Sequence, residues 1–190
     1  MSDRERWEAR YNTSDRVYNE KPVEFLRAGI DYLPNKGIAL DIAAGEGRNS
    51  VFLAQHGLEV IALDISERAL QKCLLLADER GVRVNVAVVD LTNFLIPKES
   101  FDVIINFNYL QRSLARPIIE GLKPEGWLLF ETLTTEQLKW KPDFNPEFLL
   151  DPGELAEMFN DLEIIEYSES TILSGQSFRS VASLAARKPR

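Results

Sequence analysis

The sequence predicts an α/β fold: a three-layer α/β/α sandwich on a mostly parallel seven-stranded sheet with an antiparallel C-terminal strand pair. Three observations carry this. Short apolar runs at 38–42, 59–64 and 82–89 alternate with stretches of helical period. Each run closes on a carboxylate, Asp41, Asp64 and Asp90. The last two apolar runs, 162–167 and 178–186, follow one another without a helix, which breaks the βα alternation and implies an antiparallel pair at one sheet edge.

Composition bounds the answer. The 190 residues predict one domain, 1–190, with an N-terminal helical arm or lid (1–33) and a core (38–190). Apolar residues make up 45% and charged residues 27%, ordinary for a soluble globular protein. No apolar run approaches the roughly 18 residues of a membrane span, and the charged start lacks the apolar centre of a signal peptide. Cys73 is the single cysteine and no zinc spacing exists, so no metal is expected and a reducing cytoplasm is inferred. The net charge of −8 comes without a basic stripe, which argues against a nucleic-acid partner. Neither a membrane nor a defined oligomer is predicted.

In chain order, Trp7, Arg10 and Tyr11 sit at helical spacing in a charged arm. Two readings stand: a capping helix that buries Trp7, or a lid whose Arg10, Tyr11 or Tyr18 touches a ligand. Pro22 opens a predicted helix over 23–32, and 33–37 is a turn by composition. The run 38–42 has no alternation, as expected of a strand buried on both faces. After it come small residues, Ala43, Ala44, Gly45 and Gly47, and then a helix over 47–56 ended by Gly57. Such a strand, tight turn and helix start let a ligand approach backbone closely, so a nucleotide-like cofactor is expected there.

Ser66 starts a helix to about residue 80, with Leu70, Cys73, Leu74 and Ala77 on its apolar stripe. Residues 101–107 read as the fourth strand, 109–121 as a helix interrupted near Pro117, 123–126 as a turn and 127–133 as the fifth strand. The stretch 134–150 has no period and two prolines, and a segment this long suggests a substrate lid. Asp151 and Pro152 supply an N-cap and first position for a helix to 159, and 168–177 joins the last two strands.

Gly45-x-Gly47-x-x-Ser50 followed by Asp64 approaches a dinucleotide-binding fingerprint. Glu46 beside a pyrophosphate and the lack of room for a second catalytic domain argue against a nicotinamide-linked oxidoreductase. A cationic ligand removes the charge objection. The block 40–50, with Asp64, Phe101-Asp102-Val103-Ile104 and Leu122-Lys123-Pro124-x-Gly126, resembles the class I S-adenosylmethionine-dependent methyltransferases. The likeness is strongest to their small tellurite-resistance, thiopurine-methyltransferase-like branch. It implies a Rossmann-like core, with Ala43 standing where the family has its first loop glycine.

By this resemblance S-adenosylmethionine is the cofactor and S-adenosylhomocysteine the product. Asp41 and the backbone of Ala43, Ala44, Gly45 and Gly47 would face the methionine end. Asp64, with Ile65 beside it, would take the ribose hydroxyls, since a carboxylate accepts two hydrogen bonds at once. Asp90 and Leu91 would meet the adenine, and Asn106 the sulfonium. Any one of these acids could instead cap the following helix. Arg48 could pair with the cofactor carboxylate, or with Glu46 or solvent. His56 reads as a cap and Cys73 as core.

The expected activity is methyl transfer to a small-molecule acceptor, such as a thiol or chalcogen oxyanion, by in-line displacement. That chemistry needs alignment and water exclusion more than a catalytic triad. Candidate acceptor contacts are Tyr11, Tyr18, Tyr109, Arg112 and Glu131. The alternatives are a non-catalytic nucleoside-binding module, which would need no closed pocket, and the nicotinamide-linked oxidoreductase.

Overall fold

Seven strands form one sheet: β1 (Ile38–Ile42), β2 (Glu59–Asp64), β3 (Val84–Val88), β4 (Phe101–Phe107), β5 (Leu122–Leu133), β6 (Glu163–Ser174) and β7 (Ser177–Arg187). The computed structural model describes residues 2–174 and 177–190. The strand order is β3-β2-β1-β4-β5-β7-β6. Pairs from β3 to β5 are parallel, and β7 runs antiparallel to both β5 and β6. The predicted fold class, with its antiparallel finish, is the observed one.

Side-chain alternation sends successive strand residues to opposite faces, and both faces are apolar here. Leu40, Ile42, Ile104, Leu128, Phe130 and Leu184 pack on one side. Ala39, Val60, Ala62, Val103, Ile105 and Leu129 pack on the other. Among the described residues, α-helices surround the sheet: α1 (Asp3–Tyr11), α2 (Glu24–Ala28), α3 (Arg48–Gln55), α4 (Glu67–Glu79), α5 (Ala115–Gly121) and α6 (Glu154–Met158). Ser2 and Glu5 form a reciprocal capping box on α1. Ser66 caps α4, whose buried stripe holds Leu70, Cys73, Leu76 and Ala77. Pro117 lies in the first turn of α5, as expected.

Several elements depart from the sequence reading. The helix expected over 23–32 breaks at Gly29 into α2 and a 3-10 turn, Ile30–Tyr32. A Cβ at Gly29 would lie 3.2 Å from the Leu129 side chain, so close packing against β5 sets the break. β3 starts at Val84 rather than 82 because Val82 donates its N–H to Ala77 O and closes α4, with Gly81 at φ +68°. The predicted turn at 123–126 is absorbed into β5, which carries Glu125 at φ +67° next to a register shift. Gly153, not Asp151, is the N-cap of α6, while Asp151 donates its N–H to Glu154 Oε2.

The expected 168–177 connection is mostly strand. Its Ser, Glu and Thr residues suit an edge strand with one side in water, and Thr171 and Ser180 hydroxyls pair across it at 2.9 Å. Residues 175–176 of that expected connection lie outside the described residues. The stretch 134–150 forms 3-10 turns at Thr135–Lys139 and Pro146–Phe148, and a bridge between Thr134 and Leu150 closes its base.

Candidate functional site

The exits of β1, β2, β3 and β4 meet at one end of the sheet, where the N-terminal arm lies over them. Together they enclose a cavity holding about 1020 Å³ of empty space, its open mouth included. Ala43, Ala44 and Gly45 form its floor, with Asp64 and Ile65 beside them and Asp90 and Leu91 further along. Trp7 and Tyr11 of α1 and Arg16, Tyr18, Asn19 and Glu20 of the following arm supply the roof.

The floor is a turn that only small residues can make. Ala43, Gly45 and Gly47 take φ of +55°, +56° and +79°. An alanine in that left-handed region costs about 1–2 kcal/mol, so the residue that replaces the family's first glycine sits at a strained position. A Cβ on Gly45 would lie 2.9 Å from the Tyr11 hydroxyl. Asp64 staples the turn to β2. Its Oδ2 accepts the Gly45 N–H at 2.8 Å, and its Oδ1 accepts the Ser66 N–H at 2.9 Å. Burial pushes the Asp64 carboxyl above its ordinary range, and these backbone donors pull against that. The carboxylate's remaining acceptor capacity is available to a ligand hydroxyl.

Asp90 is exposed, and its Oδ1 accepts both the N–H and the hydroxyl of Thr92, which holds its carboxyl below the usual range. The Tyr11 phenol is pushed up, first by burial and then by the nearby Asp64 carboxylate. Tyr18 accepts from Arg10 at 3.2 Å, and the Arg48 guanidinium lies 5.8 Å from its ring centroid. Burial lowers the pKa of Arg48, which lines the cavity. Glu46 does not pair with it, because Lys72 and the arm backbone occupy that carboxylate. Tyr109 also lines the cavity, and burial raises its phenol to about 12.

Five sequence candidates lie off the cavity. Asp41 is 1% exposed beneath the turn, bonded at 2.5 Å to the Ser50 hydroxyl of α3, and burial raises its carboxyl to about 7. Gly47 faces α4, where a Cβ would come within 2.1 Å of the Cys73 sulfur. Asn106 turns inward and donates to Tyr109 O at 2.7 Å, holding the β4 exit in shape. Arg112 is committed to Glu154 and to the carbonyls of Glu147 and Leu149. Glu131 accepts from Ser183 at 2.8 Å and is buried by β5 and β7. The expected lid over 134–150 contributes no cavity residue either. Trp140 instead packs on Phe178, with ring centroids 4.4 Å apart. Gly47 packs against α4, and the polar side chains are taken up by protein partners, local for Asn106 and distant in sequence for Arg112 and Glu131.

The arm reading splits usefully. Trp7 is half-buried, stacks on Tyr11 at 5.9 Å and lines the cavity, so α1 is both a packed cap and part of the roof. Lining residues that the sequence reading did not name as candidates include Asp3, Arg16, Asn19, Glu20, Asn49 and Thr92. Asn108 takes φ +62°, and asparagine directly after a strand is the residue type that tolerates that conformation. His56 caps α3 and Cys73 is buried, both as expected. Among the described residues no group of His, Cys, Asp and Glu could hold a metal ion, and no helix is long and apolar enough to cross a membrane.

Comparison with known proteins points the same way. Residues 39–126 match the family model of a methyltransferase domain. The chain is 27% identical over 139 residues to the probable S-adenosyl-L-methionine-dependent methyltransferase TehB of Haemophilus influenzae, covering 69% of this chain and 48% of that protein. It therefore spans about half the length of that relative. The crystal structure of TehB from Haemophilus influenzae superposes with a TM-score of 0.74 at 21% identity, over 96% of this chain and 65% of the other. A phosphoethanolamine N-methyltransferase of Haemonchus contortus, solved with phosphomonomethylethanolamine and S-adenosylhomocysteine, gives 0.67 at 18% identity, over 88% and 52%. Residues 39–126 thus match a methyltransferase domain, and the chain is similar to S-adenosylmethionine-dependent methyltransferases of the tellurite-resistance type.

Proposed function

We propose that the chain, as one domain over 1–190 in a reducing cytoplasm, transfers a methyl group from S-adenosylmethionine to a small-molecule acceptor. The observation that carries this is the cavity itself: a small-residue turn stapled by Asp64, with an ordered aromatic arm across it. The arm supports an enzyme over a bare nucleoside-binding module, which needs no roof. The walls suit a cation bearing a ribose. Glu46, Asp64 and Asp90 line the cavity, and carboxylates beside a pyrophosphate would repel it.

When bound, the cofactor supplies a methyl group on a cationic sulfonium. The chain's part is placement and dryness. In this reading Asp64 accepts from the ribose hydroxyls while its backbone donors hold it still, and Asp90 and Leu91 flank the adenine. Ala43 to Gly45 let the methionine end approach backbone, and Arg48 offers a guanidinium to its carboxylate. Trp7, Tyr11 and Tyr18 exclude water above the reacting atoms, and an aligned, dehydrated pair is what in-line displacement requires. The acceptor would enter beside Phe107, Asn108 and Tyr109. A thiol and an oxyanion both fit a small dry site.

Calorimetry with S-adenosylmethionine, S-adenosylhomocysteine and NAD tests the reading. Both sulfur compounds should bind, and NAD should not. Binding of NAD alone would overturn the proposal. Asp64→Ala should weaken S-adenosylhomocysteine at least about tenfold, or about 1.4 kcal/mol. A methyl-acceptor screen then separates enzyme from sensor.

A further inference from the structure

The arm from Asn12 to Pro22 has little regular structure, yet it forms part of the cavity roof. Something must hold it down. Two of its attachments are ion pairs near the surface, Arg16 with Glu79 at 3.9 Å and Glu20 with Arg80 at 2.5 Å. Pairs of this kind hold a segment weakly, because water competes for both partners.

Glu46 is different. It sits between the two loop glycines and is only 5% exposed. Its Oε1 accepts the Val17 N–H at 3.0 Å and its Oε2 accepts the Tyr18 N–H at 2.9 Å, so one carboxylate grips two consecutive amides of the arm. Lys72 of α4 completes the arrangement, donating to Glu46 Oε1 at 3.1 Å, to the Thr13 hydroxyl at 3.1 Å and to Asp15 O at 2.7 Å. Charge-assisted bonds in a nearly dry setting are the strong kind, and these join the cofactor loop directly to the roof.

We infer that Glu46, held by Lys72, is a positioning residue that latches the 12–22 strap across the cavity and thereby sets how fast the cofactor product leaves. The inference rests on the cofactor reading above. The strap forms part of the roof over the Ala43–Gly45 floor, and lifting it, which breaks both amide bonds to Glu46, would widen the open mouth through which the product leaves. Product release through a lid is a common limit on turnover.

The test uses Glu46→Gln, which keeps the shape but leaves one oxygen to accept and turns an amide NH₂ toward a backbone donor. The first readout is amide exchange at Val17 and Tyr18 in the unliganded protein, and the second is S-adenosylhomocysteine release followed by a rapid-mixing chase. Both should quicken about tenfold, the change that follows from losing about 1.4 kcal/mol of bonding. Lys72→Met leaves Glu46 in place without its cation, and should shift both readouts the same way by less. Unchanged exchange in Glu46→Gln, or faster exchange with unchanged release, overturns the inference. Faster release with unchanged exchange would mark Glu46 as a direct ligand contact, which also overturns it. A wild-type protein that binds no S-adenosylhomocysteine overturns the cofactor reading, and the exchange measurement still decides whether Glu46 holds the strap.

Discussion

The exits of β1 and β4 are neighbours in the sheet, and each turns on a non-glycine residue at positive φ, Ala43 at +55° and Asn108 at +62°. They are held differently. The β1 exit is fastened by distant parts of the chain: Asp64 grips Gly45 N–H, Glu46 grips the arm, and Gly47 abuts Cys73. The β4 exit has distant support too, from Glu131 O on the Asn108 N–H and from Arg179 on the Asn108 side-chain oxygen, but adds a local side-chain bond, Asn106 to Tyr109 O three residues on. The turn whose backbone must lie open to a ligand has no such side chain of its own to brace it.

The sharpest way to break this contrast is Gly47→Ala. It adds a left-handed alanine and a methyl group 2.1 Å from the Cys73 sulfur, so a loss of about 3 kcal/mol or more is expected in urea unfolding. Cys73→Ala in the same chain should return only part of it, because the Cys73 Cβ already lies 2.6 Å from the added methyl. Full rescue would show that backbone conformation is no part of the cost.

Asp41 probes the same exit through pH. Burial raises its carboxyl to about 7 from an ordinary value of 3.8, with the Ser50 hydroxyl opposing and Asp64 adding. The folded state therefore holds the proton more tightly than the unfolded chain. Its stabilising contribution is complete below pH 3.8 and is lost as pH rises to about 7. Asp41→Asn should remove that slope and gain about 4 kcal/mol on the parent at pH 8 relative to pH 4, read as the shift in urea midpoint. A slope that persists in the variant would place the titration elsewhere.

At the other exit, Asn106→Ala should cost about 1 kcal/mol by freeing Tyr109 O, with S-adenosylhomocysteine affinity nearly unchanged. A large loss of affinity there would erase the distinction between the two exits. The smallest effect belongs to Ala43→Gly. Relief of the left-handed alanine, partly offset by a more flexible unfolded chain, should stabilise by about 0.5 kcal/mol in the same assay.

Much of the fold was legible because its signals are local. β1, β2 and β4 match their predicted bounds, α4 differs by a residue at each end, and the antiparallel finish follows from two strands in succession. The small-residue turn and the acids Asp64 and Asp90 were legible as cavity walls for the same reason, since strand, turn and helix start occupy one continuous stretch. Three polar candidates lie off the cavity, each bonded to a partner within the protein. Arg112 went to Glu154, Glu131 to Ser183 and Asn106 to Tyr109 O. The sequence by itself determined the layered sheet and the place where backbone lies open, because periodicity and steric size act between near neighbours. Only the tertiary structure decided that Glu46 reaches 28 residues back to Tyr18 and that the 134–150 stretch packs beside β7, away from the cavity. Hydrogen-bond partners distant in sequence are selected by packing, and packing exists only once the chain has folded.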